Sequence, residues 1–175
     1  YFMLYRGDTL AQFLRNVAHI PVNLGVEIGH MWFIYMLLGL YMLVPIISPW
    51  LEQCSKRQLQ GYLGVWAFTT LLPYIHLWFP EVWGECFWNP TPMLHYFTGF
   101  AGYFVLGYYI KRYGALSVRN AWLMLAGGYL FTVAVYQYRL GRVTMVSDLE
   151  VCWRFCGVNM AVMAYAVFSL VSRIK

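Results

Sequence analysis

The sequence predicts an all-α protein, a polytopic bundle of about five transmembrane helices in a single domain. Hydrophobic residues make up 61% of the 175-residue chain and charged residues only 11%. In soluble domains, apolar residues average roughly 45–50% and charged residues about 25%. A soluble core of this size could not bury so much apolar surface, so lipid must be the main solvent. The few charged residues are also spaced so that long uncharged stretches lie between them.

The first uncharged stretch runs over residues 28–51 and predicts a span at about 30–50. A helix rises about 1.5 Å per residue, so this stretch would extend about 36 Å and could cross a hydrocarbon core of roughly 30 Å. Trp32 and Trp50 mark its two ends, where indole rings prefer the headgroup region. We therefore expect a complete membrane crossing here.

Four more spans are predicted by the same test of uncharged length, at about 60–79, 95–110, 120–138 and 151–172. Residues 1–29 are mixed in character, and we expect them to form an extracytoplasmic, interfacial segment. Within it, Asp8 or Thr9 is expected to cap a short amphipathic helix that ends at Pro21.

Basic residues predict the orientation. Five spans place residues 52–57, 111–119 and 173–175 on one side, and these segments hold seven of the twelve lysines and arginines. Because positive loops stay inside, that side is cytoplasmic. Orientation also explains the net charge of +5 without nucleic acid as a partner. An external N-terminus, and a chain that begins with Tyr1 rather than Met, lead us to expect a fragment whose partners are the bilayer and the remaining helices of a parent protein.

Two motifs carry a resemblance to a known family. The first is His30-Met31-Trp32-Phe33, followed by Tyr41 and Pro45. The second is Tyr96, Phe97, Gly102 and Gly107, followed by Lys111-Arg112. The first resembles the His-Leu-Trp-Phe helix of the acyltransferase-3 family of integral membrane O-acyltransferases, and the second resembles its aromatic, glycine-rich helix with a basic end. The chain is similar to the middle helices of that family.

The resemblance implies an acyltransferase that transfers groups other than aminoacyl groups. The acyl group, often acetyl, would come from a cytoplasmic co-substrate, acetyl-CoA or another acyl-CoA, with no bound cofactor. The acceptor would be a hydroxyl of an extracytoplasmic glycan or glycolipid of the cell envelope, and the location the bacterial cytoplasmic membrane. Family catalysis is attributed to an Arg and a His in a first helix that this sequence does not contain, so the catalytic residues stay unknown.

Acyl transfer to a hydroxyl needs a base for its proton and donors for the developing oxyanion. Four ionisable residues near the outer ends of the predicted spans are candidates: His30, His76, His95 and Arg154. Ionisable groups inside a membrane are costly and usually functional. The alternative is that the histidines are interfacial and that Arg154 snorkels outward. The four cysteines form no paired CxxC motif, and no histidine lies at metal-ligand spacing from them, so no metal is predicted.

Donor and acceptor candidates lie on opposite sides of the predicted bundle. The cytoplasmic candidates for binding the phosphates of CoA are Lys56, Arg57, Lys111, Arg112 and Arg119. These residues could instead serve only orientation and attraction to anionic lipid. On the outer side, Trp83, Glu85 and Trp88 could bind a sugar, or the tryptophans could belong to an aromatic belt. A transporter or flippase segment for a glycolipid and a non-catalytic membrane scaffold remain alternative functions.

Overall fold

A computed structural model describes residues 7, 9–23, 32–82 and 94–174. Helices account for 80% of these residues, and the part of the chain so described contains no strand, which confirms the all-α class. The chain divides into two compact units, Tyr1–Pro49 and Trp50–Lys175. The boundary between these units, named unit 1 and unit 2, falls inside one helix, and each unit is described by itself.

The described residues form six α-helices and two short 3-10 segments. The α-helices are α1 (Leu10–Asn23), α2 (Trp32–Gln53), α3 (Lys56–Trp78), α4 (Ala101–Tyr113), α5 (Val118–Arg139) and α6 (Val158–Val171). The 3-10 segments, His95–Phe97 and Val146–Trp153, precede α4 and α6.

Three helical stretches in the described part of the chain are long and apolar enough to cross a membrane: Trp32–Gln53, Val118–Arg139 and Asp148–Val171. They correspond to the first, fourth and fifth predicted spans. At the second predicted span, α3 has 23 residues and rises about 35 Å. At the third, α4 has only 13 residues. The predicted number of five spans is therefore approximate.

The short length of α4 has a local cause. Gly99 has a φ of 82°, a left-handed conformation that glycine adopts readily and that interrupts a right-handed helix. The chain therefore turns between the 3-10 segment at His95–Phe97 and the start of α4 at Ala101.

Unit 1 begins with a capped helix. The Thr9 N–H donates to Gln12 Oε1 over 2.8 Å, and the Gln12 N–H donates to Thr9 Oγ1 over 3.4 Å, which is a capping box. The helix then runs to Asn23, two residues beyond Pro21. The predicted end at Pro21 was wrong, because a proline removes one donor from the ladder without forbidding the next helical turn.

An apolar stripe of α1 lies on the surface of unit 1. Leu10, Leu14 and Val17 share one face of the helix and are exposed. An amphipathic helix with an exposed apolar face is typical of a segment that lies in the membrane interface. The stripe favours the predicted interfacial position of this segment.

In unit 2, α3 and α5 both begin at serine caps. Ser55 Oγ accepts from the Gln58 N–H over 3.3 Å, while Gln58 Oε1 accepts from the Ser55 N–H over 2.8 Å. Ser117 Oγ accepts from the Asn120 N–H over 3.2 Å. These bonds satisfy donors that a helix start leaves open, so both helices have fixed starting points.

The core of unit 2 is built around Trp66 of α3, which is 3% exposed. It packs with Leu106 of α4 and Ala161 of α6. Its Nε1–H donates to the Gly99 carbonyl over 3.0 Å, so the buried indole has its hydrogen-bond partner. Gly102 lies directly against the ring, since a Cβ there would be 2.1 Å from Nε1. The closeness of α3 and α4 therefore depends on a residue without a side chain.

The most extensive helix contact of the described residues joins α5 and α6. A Cβ built on Gly128 of α5 would lie 2.6 Å from Met163 Cγ of α6. Small residues allow membrane helices to approach closely where water provides no hydrophobic driving force. The absence of a side chain at Gly128 therefore lets α6 pack closely against α5 at this position.

A buried polar network joins four elements of unit 2. Asn159 of α6 is 2% exposed. Its Nδ2 donates to Thr132 Oγ1 of α5 and to the Cys152 carbonyl of the 3-10 segment, both over 2.7 Å. Its Oδ1 accepts from the Tyr74 hydroxyl of α3 over 2.9 Å. A buried amide is stable only when such partners are present, so this network fixes the relative positions of the elements.

Replacing Gly102 by Ala should destabilise the protein, because the new methyl group would overlap a buried and hydrogen-bonded indole. Overpacking of this kind costs roughly 1–3 kcal/mol. Gly127→Ala is the matched control, since open space surrounds the Cβ position there. Thermal unfolding of both variants in detergent measures the difference. Equal midpoints would contradict the packing described for Trp66.

Replacing Asn159 by Ala should also destabilise the protein, because it leaves the buried Cys152 carbonyl without this donor. A buried group left unsatisfied costs roughly 1–3 kcal/mol. Asn120→Ala is the control: that side chain is exposed, and its bond to Ser117 comes from the backbone. The thermal midpoint of Asn159→Ala should fall well below that of the control. Matching midpoints would show that the network contributes little.

Candidate functional site

One end of unit 2, named the basic end, gathers the starts of α3 and α5 and the ends of α2, α4 and α6. Arg112 Nη1 donates to the carbonyls of Leu51 and Glu52, over 2.9 and 3.2 Å, and so ties the end of α4 to the end of α2. Arg173 donates to the Leu116 carbonyl, which ties the segment after α6 to the segment before α5. The loops predicted to be cytoplasmic therefore lie together.

Two of the five predicted donor-binding residues meet at one aromatic ring. The Arg112 Cζ and the Lys56 Nζ lie 5.6 and 5.3 Å from the centre of the Tyr113 ring, within the range of a cation–π contact. Arg112 also donates to the Tyr108 hydroxyl over 3.0 Å. That hydrogen bond raises the pKa of the Arg112 guanidinium above its ordinary value.

The other three predicted donor-binding residues are exposed at the same end. Arg57 lies in the first turn of α3 and Arg119 in the first turn of α5. Lys111 instead lines a groove of about 860 Å³ between α4 and α6, named the lateral groove, together with Arg173. The structure thus divides the predicted cations between an aromatic cluster, the groove and the open surface.

The opposite end of unit 2 carries two of the predicted catalytic candidates. His76 is half-buried near the end of α3, and its Nδ1 lies 3.0 Å from the Val82 carbonyl. Arg154 is exposed and directly follows the 3-10 segment. The backbone around Arg154 is held on both sides, because the Tyr103 hydroxyl donates to the Phe155 carbonyl and Asn159 holds Cys152.

The remaining predicted site residues lie outside the described part of the chain. These are the candidate His30 and the acceptor candidates Trp83, Glu85 and Trp88. The backbone of His95 lies in a 3-10 segment, but its side chain is also outside the described residues. Their assigned roles stay predictions.

A second groove, of about 320 Å³ and named the central groove, follows α3 through unit 2. Its lining includes Gln60, Gly64 and Thr70 of α3, Tyr109 of α4 and Tyr165 of α6. Gln60 Nε2 donates to the Tyr109 hydroxyl over 3.1 Å. From Gln60 to Thr70 the helix rises about 15 Å, so the groove extends from near the basic end toward the middle of the bundle.

Sequence reasoning missed two residues that organise these surfaces. Asn159 interrupts an apolar stretch, and a polar residue inside a span usually faces the bundle interior, so a signal was present. Arg173 was counted only for orientation, yet it lines the lateral groove with Lys111. No sequence signal links Lys111 to Arg173, because the groove between them depends on how α4 and α6 pack.

Comparison with protein families gives one match. The family described as 'Acyltransferase domain' matches residues 3–174 of this chain. Comparison with curated proteins and with solved structures gave no match. The family match agrees with the resemblance of the two sequence motifs, and the three membrane-length helical stretches agree with an integral membrane protein. The chain therefore belongs to the acyltransferase-3 family and is a membrane acyltransferase domain.

Proposed function

We propose that this domain forms part of a membrane O-acyltransferase of the bacterial cytoplasmic membrane. It would move an acyl group from a cytoplasmic acyl-CoA to a hydroxyl of an extracytoplasmic glycan or glycolipid of the cell envelope. The proposed acyl group is acetyl. The observation that carries the proposal is the central groove, which begins near the basic end and leads into the bundle. Family membership supplies the reaction class.

The basic end is the proposed donor side. Lys56 begins α3, and Gln60 of the central groove follows one helical turn later, about 6 Å along the axis. A CoA phosphate held by this cation would therefore place the rest of the donor at the mouth of the groove. Lys is suited to binding a phosphate as a point charge.

The central groove is the proposed path of the acyl-bearing arm of the donor. Its walls are mostly apolar, with the amide of Gln60 and the hydroxyls of Thr70 and Tyr109 along them. An arm that carries amides and a thioester needs both kinds of contact. The groove would orient the thioester and exclude water that would otherwise hydrolyse it.

The transfer itself needs few groups. The acceptor hydroxyl oxygen bonds to the thioester carbonyl carbon, the carbon–sulfur bond breaks, and the hydroxyl proton passes through a base to the departing thiolate. Among the described candidates, His76 fits the role of this base. The tautomer with hydrogen on Nδ1 donates to the Val82 carbonyl and carries its lone pair on Nε2. Arg154 at the same end is suited to binding the acceptor or the oxyanion.

Filling the central groove should slow acyl transfer. Gly64 lines the groove, and open space surrounds its Cβ position, so Gly64→Leu should fold and obstruct the donor. Gly61→Leu is the matched control, since Gly61 lies on the same helix, has the same open surroundings and does not line the groove. The transfer of radiolabelled acetyl from acetyl-CoA to membrane glycan measures the rate in cells that express the protein.

We expect label transfer by the wild type, a rate lower by roughly tenfold or more for Gly64→Leu, and a near-normal rate for Gly61→Leu. Equal rates for the two variants would remove the groove from the donor path. Movement of unlabelled glycolipid across the membrane without any transfer of label from several acyl-CoA donors would favour a flippase segment instead.

The two ends of unit 2 should also differ in accessibility. Gln53 at the basic end and Thr144 at the opposite end are both exposed. With the four native cysteines replaced by alanine, Thr144→Cys should react with a membrane-impermeant maleimide in intact spheroplasts. Gln53→Cys should react only after permeabilisation, because positive loops stay in the cytoplasm. The reverse labelling pattern would invert the proposed donor and acceptor sides.

A further inference from the structure

We infer that the lateral groove is a binding site for one anionic phospholipid, separate from the acyl-transfer path of the central groove. The lateral groove lies at the basic end, between the last turns of α4 and α6, and has a volume of about 860 Å³. Lys111 and Arg173 form its polar edge, and Ile110, Val167 and Val171 belong to its apolar wall. The two parts of the groove match the two parts of a phospholipid.

The charge of the groove suits a phosphate diester. Lys111 and Arg173 are both exposed, and none of the described residues that line the groove is acidic. Arg173 uses one nitrogen for the Leu116 carbonyl, and a guanidinium has further donors that can bind phosphate oxygens. Two cations at one site favour an anionic headgroup over a zwitterionic one, because the ammonium of the latter would be repelled.

The apolar wall suits an acyl chain. Val167, Phe168 and Val171 stay exposed on α6 although they are large and apolar. From Val171 back to Val167, α6 rises about 6 Å, and Arg173 follows two residues after the helix ends. Gly107 on the facing side of the groove has open space at its Cβ position. A chain that enters beside the two cations can therefore continue along α6.

The membrane itself supplies this occupant. In a bilayer the basic end lies at the headgroup level, where anionic lipids gather around juxtamembrane lysines and arginines. Lys111 and Arg173 lie at the edge of an apolar groove. Arg57 and Arg119 instead lie on the open surface, where only general electrostatic attraction to lipid acts. Specific binding should therefore depend on Lys111 and Arg173 more than on those two arginines.

The test compares two double variants of the purified full-length protein that remove equal charge. Lys111→Gln with Arg173→Gln alters the groove, and Arg57→Gln with Arg119→Gln alters the open surface. Binding of dioleoyl phosphatidylglycerol and dioleoyl phosphatidylcholine is measured by native mass spectrometry in detergent. If the groove double variant does not fold, Lys111→Gln alone replaces it, because this variant keeps the hydrogen bond between Arg173 and Leu116.

We expect the groove variant to lose affinity for phosphatidylglycerol by roughly tenfold or more, and the surface variant to lose less than about threefold. Binding of phosphatidylcholine should be weak and unchanged throughout. Equal losses in the two variants would overturn the proposal in favour of general electrostatic attraction. Displacement of phosphatidylglycerol by palmitoyl-CoA, but not by dioleoyl phosphatidylcholine, would overturn it in favour of a donor site. Neither result bears on the transfer rates of the Gly64 and Gly61 variants.

Discussion

The hydrogen bonds of Asn159 are the constraint on which the described architecture of unit 2 depends. In lipid, no water can compensate a polar group that loses its partner. The carboxamide of Asn159 has a fixed planar geometry, and its partners Thr132, Cys152 and Tyr74 belong to three different elements. Few arrangements of these elements satisfy all of these bonds at once. The position of Arg154, two residues after Cys152, follows from that arrangement.

The basic end serves the fold as well as the proposed chemistry. Arg112 and Arg173 donate to the backbone carbonyls of Leu51, Glu52 and Leu116. Helix ends leave carbonyls without intrahelical partners, and basic side chains near the ends of helices commonly bind them. Arg112, one of the cations that the sequence assigns to donor binding, therefore also closes the bundle.

Several motif residues of the family resemblance have a packing explanation in the structure. Gly102 leaves room for the indole of Trp66. Phe97 packs against the Tyr62 ring with centroids 5.8 Å apart, a distance typical of aromatic pairs. Gly107 keeps the lateral groove open. The aromatic and glycine-rich character of this segment thus follows from how α4 approaches α3 and α6.

The sequence by itself determined the all-α class and the membrane setting, because a membrane helix forms all its backbone hydrogen bonds within one uncharged stretch. The stretch at Trp32–Gln53 was predicted almost to its ends for this reason. The sequence also determined the family, through the two motifs. Tertiary structure alone decided what meets across the bundle. Tyr74 and Asn159 are separated by 85 positions along the chain, and Lys111 lies in α4 whereas Arg173 follows the end of α6. Composition and periodicity are local properties, whereas such contacts depend on helix packing.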